Sequence, residues 1–137
     1  MYRMKKEVYE KILETIGIAQ IESGGIIGKK NGVICKFYFD DSETRYTDKY
    51  VPDFIKLNKI IEKWYDDEIF FAGIVHSHPN SCAVPSKEDE VYVSKLMENN
   101  SDLNSILFPI VTKYKGVATI TFFEFTGEFK EIDVTVY

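Results

Sequence analysis

The apolar positions follow two rhythms. Between Arg3 and Ile16 the residues Val8, Tyr9, Ile12, Leu13 and Ile16 recur at intervals of three and four, which predicts one face of an amphipathic helix ended by Gly17. The same spacing returns at Phe54, Leu57, Ile61 and Trp64, with Ile60 and Tyr65 alongside, and predicts a second helix from Pro52-Asp53 to near Asp66-Asp67. A third is expected from Ser86 to about Asn99, with Val93, Leu96 and Met97 on its core side. Its start is marked by Ser86-Lys87-Glu88-Asp89, an N-cap signature that places the Asp89 carboxylate in the first turn.

Between these helices lie shorter apolar runs of strand type. Ile18 to Gly28 reads as a buried strand interrupted by glycines, and Val33 to Asp40 as a second strand. The turn Lys29-Lys30-Asn31-Gly32 should join them as a hairpin. Asp41 to Val51 is polar and expected to be a loop, and Ile69 to His78 is a further strand. Three strands close the chain at Ile106 to Thr112, Val117 to Phe125 and Phe129 to Val136, turned at Lys115-Gly116 and Thr126-Gly127. There is no internal repeat. Helices and strands interleave, so the predicted fold is α/β, one mixed sheet flanked by helices.

Composition narrows the function classes. A chain of 137 residues fits one domain, 1–137, and a domain of this size buries roughly 70% of its unfolded surface. Its 45% hydrophobic and 28% charged residues are those of a folded protein rather than a disordered one. With a net charge of -5 and lysines scattered along the chain, nucleic acid is a poor partner. The N-terminus lacks a signal peptide's apolar core and no stretch approaches the ~20 apolar residues of a membrane span, so no membrane role and a cytoplasmic location are expected. The two cysteines, Cys35 and Cys82, read as free thiols.

The candidate chemistry is concentrated in Ala72 to Asp89, which holds both histidines of the chain. His76 and His78, two apart at the end of an apolar run, project from one face of a strand, and Asp89 offers a third ligand from the following helix. A zinc ion accepts imidazole nitrogen and carboxylate oxygen, and catalytic sites hold it with three protein ligands. Such an ion lowers the pKa of its water toward neutrality and polarises a substrate carbonyl. The Ser86 hydroxyl is available to the resulting oxyanion, in competition with its capping role. A base must come from elsewhere, and Glu22 is the choice: it lies in an apolar, glycine-bearing run where an ionised side chain is costly without a partner.

Plainer readings compete with each assignment. A His-x-His pair can be ordinary hydrogen-bonding residues, Ser86 and Asp89 can be a capping box alone, and Glu22 can be a strand-edge carboxylate. Cys82, between His78 and Ser86, suggests a histidine-activated thiol, but no third orienting group accompanies it and it reads as a passive loop residue. Gly24 to Lys30 superficially matches a phosphate loop, yet that pattern needs glycine at Ser23 and serine or threonine at Lys30, and it is rejected.

The constellation His76-Ser77-His78-Pro79, six residues, Ser86, two residues, Asp89, with the upstream Glu22-Ser23-Gly24-Gly25-Ile26-Ile27-Gly28, resembles the JAMM motif of the MPN-domain zinc metalloproteases. The resemblance implies a cytidine-deaminase-like α/β fold and one Zn2+ per chain. It implies hydrolysis of a peptide or isopeptide bond at the C-terminal tail of ubiquitin or a ubiquitin-like protein. By position, His76, His78 and Asp89 correspond to the metal ligands, Glu22 to the general base that later returns a proton to the leaving amine, and Ser86 to the oxyanion donor. The chain lacks the longer insertions of eukaryotic deubiquitinating members and is more similar to the compact, stand-alone prokaryotic type, which points to a ubiquitin-like protein or peptide as substrate. Two alternatives stay open. One is a non-catalytic MPN module that scaffolds a complex or forms a homodimer. The other is a JAMM-fold relative associated with DNA repair, whose His-Asn-His-Pro-Ser-Gly differs from the His76-Ser77-His78-Pro79-Asn80-Ser81 found here.

Overall fold

The structure is a computed structural model that describes residues 2–19, 21–41, 52, 54–78 and 81–137. The polar stretch expected as a loop lies, apart from Asp41, outside the described residues, as do Asp53, Pro79 and Asn80.

Among the described residues there are three helices and a ten-stranded mixed sheet. The helices are α1 (Lys6–Thr15), α2 (Phe54–Asp66) and α3 (Lys87–Glu98), close to the three read from the apolar spacing. Helix α1 starts later than Arg3 because Tyr2–Met4 form a short strand, β1, held in parallel pairing between the distant β3 (Val33–Asp40) and β10 (Val134–Val136). The first turn of α1 is satisfied in the same way: the Lys6 N–H donates to the carbonyl of Tyr137 at 2.7 Å, with no side-chain cap. None of the helices is long and apolar enough to cross a membrane.

The expected hairpin is present as β2 (Gly24–Lys30) and β3. Asn31 and Gly32 both have positive φ, 54° and 77°, as a two-residue turn matched to the strand twist requires. The strand begins at Gly24, six residues later than the apolar run suggests, and Ile18 and Ile21 are exposed. Strand β2 is central, paired antiparallel on one side to β3 and on the other to β4 (Phe70–Ser77), the histidine strand.

Of the three expected closing strands, the first two each occur as two pieces: β5 (Ile106–Leu107) with β6 (Ile110–Tyr114), and β7 (Val117–Thr121) with β8 (Phe123–Phe125). The interruption is local, because β5 and β6 keep one register against β4: Leu107 faces Gly73, and Ile110 and Val111 face His76 and Ser77. Pro109, between them, has no N–H to give to a ladder. The third strand is divided more deeply. Its first part, β9 (Phe129–Glu131), pairs with β8, whereas β10 pairs with β1 at the other end of the strand order β10-β1-β3-β2-β4-β5-β8-β9. Only Ile132 and Asp133 separate the two, so the sheet must curl until its ends approach. The Tyr2 hydroxyl donating to Glu124 Oε2 at 2.8 Å spans that closure.

The curled sheet buries two clusters. Helix α1 supplies Val8 and Ile12, and its C-cap residue Ile16, to one face, against Ile27, Ile34, Val75, Leu107 and Val111. Helices α2 and α3 cover the other with Leu57, Trp64 and Val93, against Ile26, Ile74, Ile106, Phe108 and Phe123. Gly28 permits this second packing: a Cβ there would stand 2.8 Å from the Trp64 ring, so a larger residue would lift α2 from the sheet. His76 lies on the α2–α3 side, its ring edge-on to Phe108 at 4.5 Å, where the N-terminus of α3 can reach it.

Candidate metal centre

Strand β4 brings the histidines to one place. His76 is paired with Gly24 across β2, and its N–H donates to the Pro109 carbonyl at 3.1 Å. His78 follows immediately after the strand, its N–H donating to the Val111 carbonyl at 3.1 Å. The rings stack with centroids 4.7 Å apart.

Asp89 arrives from α3 through its cap. The Ser86 N–H donates to Asp89 Oδ2 at 2.8 Å, and the Asp89 N–H donates to Ser86 Oγ at 3.1 Å, the reciprocal capping box read from the sequence. That carboxylate oxygen stands 3.2 Å from His78 Nε2 and 3.8 Å from His76 Nε2. One ligand atom from each of the three residues lies within 4.8 Å of the others, a group that could hold a metal ion.

The chemistry of the donors fits a cation. His78 Nδ1 lies 2.9 Å from the Cys82 carbonyl, which can only accept, so Nδ1 carries the hydrogen and Nε2 faces Asp89. His76 is only 5% exposed, and its Nε2 has no hydrogen-bond partner among the described residues although it points at a carboxylate. A buried polar nitrogen without a partner is costly, and an ion shared with Asp89 and His78 would satisfy it.

Electrostatics agree with this arrangement. Burial lowers the His76 pKa from the usual 6.5 to about 4, with Asp89 opposing and His78 reinforcing the shift, so the ring is neutral at pH 7 as a ligand must be. The hydrogen bond that a protonated His78 donates to Asp89 raises the pKa of His78 against partial burial, with help from the Cys82 carbonyl and the charges of Asp89 and Glu22. Burial pushes the Asp89 carboxyl up, but His78, His76 and Ser86 together hold it below its usual value.

The sign of the pH effect on the metal-free chain follows. His76 takes up its proton more readily unfolded than folded, so stability falls as pH drops from about 6.5 toward about 4. The raised pKa of His78 adds stability at low pH that is lost as pH rises through the folded value, and the lowered pKa of Asp89 adds stability that is lost only below its usual 3.8. Urea unfolding with a chelator present should therefore show a weaker fold at pH 4.5 than at pH 7. The His76 share has a ceiling of roughly 3 kcal/mol, reduced by His78. In His76→Gln the drop should be shallower.

Glu22 and Ser86 stand beside this cluster. Gly24 faces His76 and the Ser77 N–H donates to the Ser23 carbonyl at 2.9 Å, so Glu22 is the residue next to the last bonded contact between this segment and the histidine strand. The charge of Glu22 is felt by His78. For Ser86 the expected conflict between cap and site disappears: as a cap the hydroxyl only accepts, and its own proton stays available to donate. Sequence reasoning missed the Cys82 carbonyl that orients His78, because a backbone acceptor leaves no trace in residue type. It also passed over Ser77, whose bonds to Ser23 were foreshadowed only by its place between the histidines.

A mixed sheet with helices on both faces and this donor set define a domain of the JAB1/MPN class. The description "prokaryotic homologs of the JAB domain" covers a family whose profile matches residues 4–125, and the chain belongs to that family. Solved structures share its fold at low sequence identity. Protein DSY2949 from Desulfitobacterium hafniense is 16% identical with a TM-score of 0.75, over 100% of this chain and 93% of that one. AF2198, a JAB1/MPN domain protein from Archaeoglobus fulgidus, is 15% identical with a TM-score of 0.59, over 100% and 97%. A structure described as JAMM, a metalloprotease-like zinc site in the proteasome and signalosome, is 16% identical with a TM-score of 0.59, over 100% and 98%. No curated protein matches the sequence.

Proposed function

We propose that this chain is a zinc-dependent peptidase or isopeptidase acting at the C-terminal tail of a ubiquitin-like protein. Prokaryotic JAB homologues are often non-catalytic, so family membership alone does not carry the reading. What carries it is the convergence of His76, His78 and Asp89, with the buried His76 Nε2 given no hydrogen-bond partner among the described residues.

In this reading those three residues hold the ion. When bound, zinc supplies Lewis acidity, polarising the scissile carbonyl and making water a nucleophile near neutral pH. The Cys82 carbonyl keeps the His78 lone pair turned inward. Glu22 takes the proton of the attacking water and returns it to the leaving amine nitrogen. Ser86, its lone pair engaged by the Asp89 N–H, donates its hydroxyl proton to the developing oxyanion. The ubiquitin-like substrate class rests on the resemblance of the motif.

The test is turnover of a ubiquitin-like domain whose C-terminal Gly-Gly is joined to a fluorogenic amine. The zinc-loaded chain should release the amine, stop on chelation and resume when zinc is restored. Full zinc occupancy with no release from this probe or from a short Gly-Gly peptide amide would favour the scaffold reading.

A further inference from the structure

The ladder between β2 and β4 ends at Gly24 and His76, and Glu22 and Ser23 lie beyond the end of the strand. Ser77 carries the pairing further. In a hydrogen-bonded antiparallel pair each residue's N–H meets the other's carbonyl. At Ser23 and Ser77 one half of that exchange is present, the Ser77 N–H donating to the Ser23 carbonyl at 2.9 Å. The other half is taken by a side chain: the Ser23 N–H donates to Ser77 Oγ at 3.0 Å, and that hydroxyl reaches back to the Ser23 carbonyl at 3.4 Å. The N–H groups on either side of Ser77 serve the opposite edge of the strand, His76 bonded to Pro109 and His78 to Val111, so Ser77 is the last residue of the strand seen bonded toward the Glu22-Ser23 segment.

We propose that Ser77 is a positioning residue: its hydroxyl fastens the Glu22-Ser23 segment to the histidine strand and thereby sets the Glu22 carboxylate near His78. The inference rests on the reading of Glu22 as the base. By strand alternation the Ser77 side chain points away from the face that carries His76 and His78, so it acts through the segment it holds rather than on substrate or ion. Ser23 is fully buried, and without the Ser77 hydroxyl its N–H loses that acceptor. Upstream of Glu22, the Lys113 Nζ bond to the Ala19 carbonyl at 3.0 Å tethers the segment at one further point. Threonine retains the hydroxyl and alanine does not.

The experiment compares Ser77→Ala and Ser77→Thr, each in the native chain and with Glu22→Gln, on the Gly-Gly amine probe. Ser77→Ala should lower kcat about 100-fold, the loss expected when a reacting group is misplaced by about 1 Å, with KM and zinc content unchanged, and Ser77→Thr should restore most of it. Together with Glu22→Gln, Ser77→Ala should cost nothing further, because its effect passes through that carboxylate. A full additional loss in that background would overturn the proposal. Amide hydrogen exchange of the metal-free chain supplies a readout independent of turnover. Ser23 should lose protection in Ser77→Ala and keep it in Ser77→Thr, while Ile26 and Ile74 inside the ladder stay unchanged. Unchanged Ser23 protection in Ser77→Ala also overturns the proposal, whether or not the chain is active. A native chain that holds zinc yet turns over no probe sinks the enzymatic reading, and the exchange data then decide the role of Ser77 alone.

Discussion

Glu22→Gln should reduce turnover by about 10²–10⁴-fold, the usual contribution of a general base, while leaving one zinc per chain. Glutamine has nearly the shape of glutamate and can accept a hydrogen bond, so it can still occupy its place two residues before Gly24, which faces His76. What it cannot do is take a proton from water and pass it to the leaving amine. The ligand cluster is made of His76, His78 and Asp89 without Glu22, which is why metal content should survive. Zinc analysis of the purified variant beside a rate measurement checks both halves. Loss of zinc would mean that Glu22 is a ligand, and an unchanged rate would remove it from the mechanism.

Asp89→Asn should have the opposite profile, a site that no longer retains the ion. The carboxylate is the only anionic group of the three, standing between two imidazoles of which His76 is neutral at pH 7. A ligand that binds only the folded chain stabilises it by about 4 kcal/mol at 1,000 times its Kd, so zinc should raise the Tm of the native chain by about 10 °C or more and that of Asp89→Asn hardly at all. The metal-free fold should change by less than about 1 kcal/mol, because the asparagine carbonyl can still accept the Ser86 N–H and preserve the cap of α3. Thermal unfolding with zinc and with chelator separates the two effects. A zinc-dependent rise that persists in Asp89→Asn would place the ion elsewhere.

Both predictions concern residues that could be named before any fold was known. The histidines were legible because strand alternation puts residues two apart on one face, and Asp89 because an N-cap signature fixes where a helix begins. Glu22 was identified by an apolar, glycine-bearing context and by its resemblance to the motif, not by any spacing from the histidines. Its relation to His78 comes from the pairing of β2 with β4, some fifty residues apart in the chain.

The sequence by itself determined the three helices, the Asn31-Gly32 hairpin and the identity of the cluster's side chains. Each depends on interactions within a few residues, a helical face, a cap or a turn, and these are written in consecutive positions. Only the tertiary structure decided that Tyr2–Met4 form a strand, that the chain from Phe129 onward is shared between opposite ends of the sheet, that the Cys82 carbonyl meets His78, and that the Ser77 hydroxyl meets the Ser23 N–H. Each of those features has a backbone N–H or carbonyl group as at least one partner, and all but the four-residue reach from His78 to Cys82 span long separations. Nearly every residue carries the same backbone groups, so their partners become identifiable only when the folded chain brings them within hydrogen-bond distance.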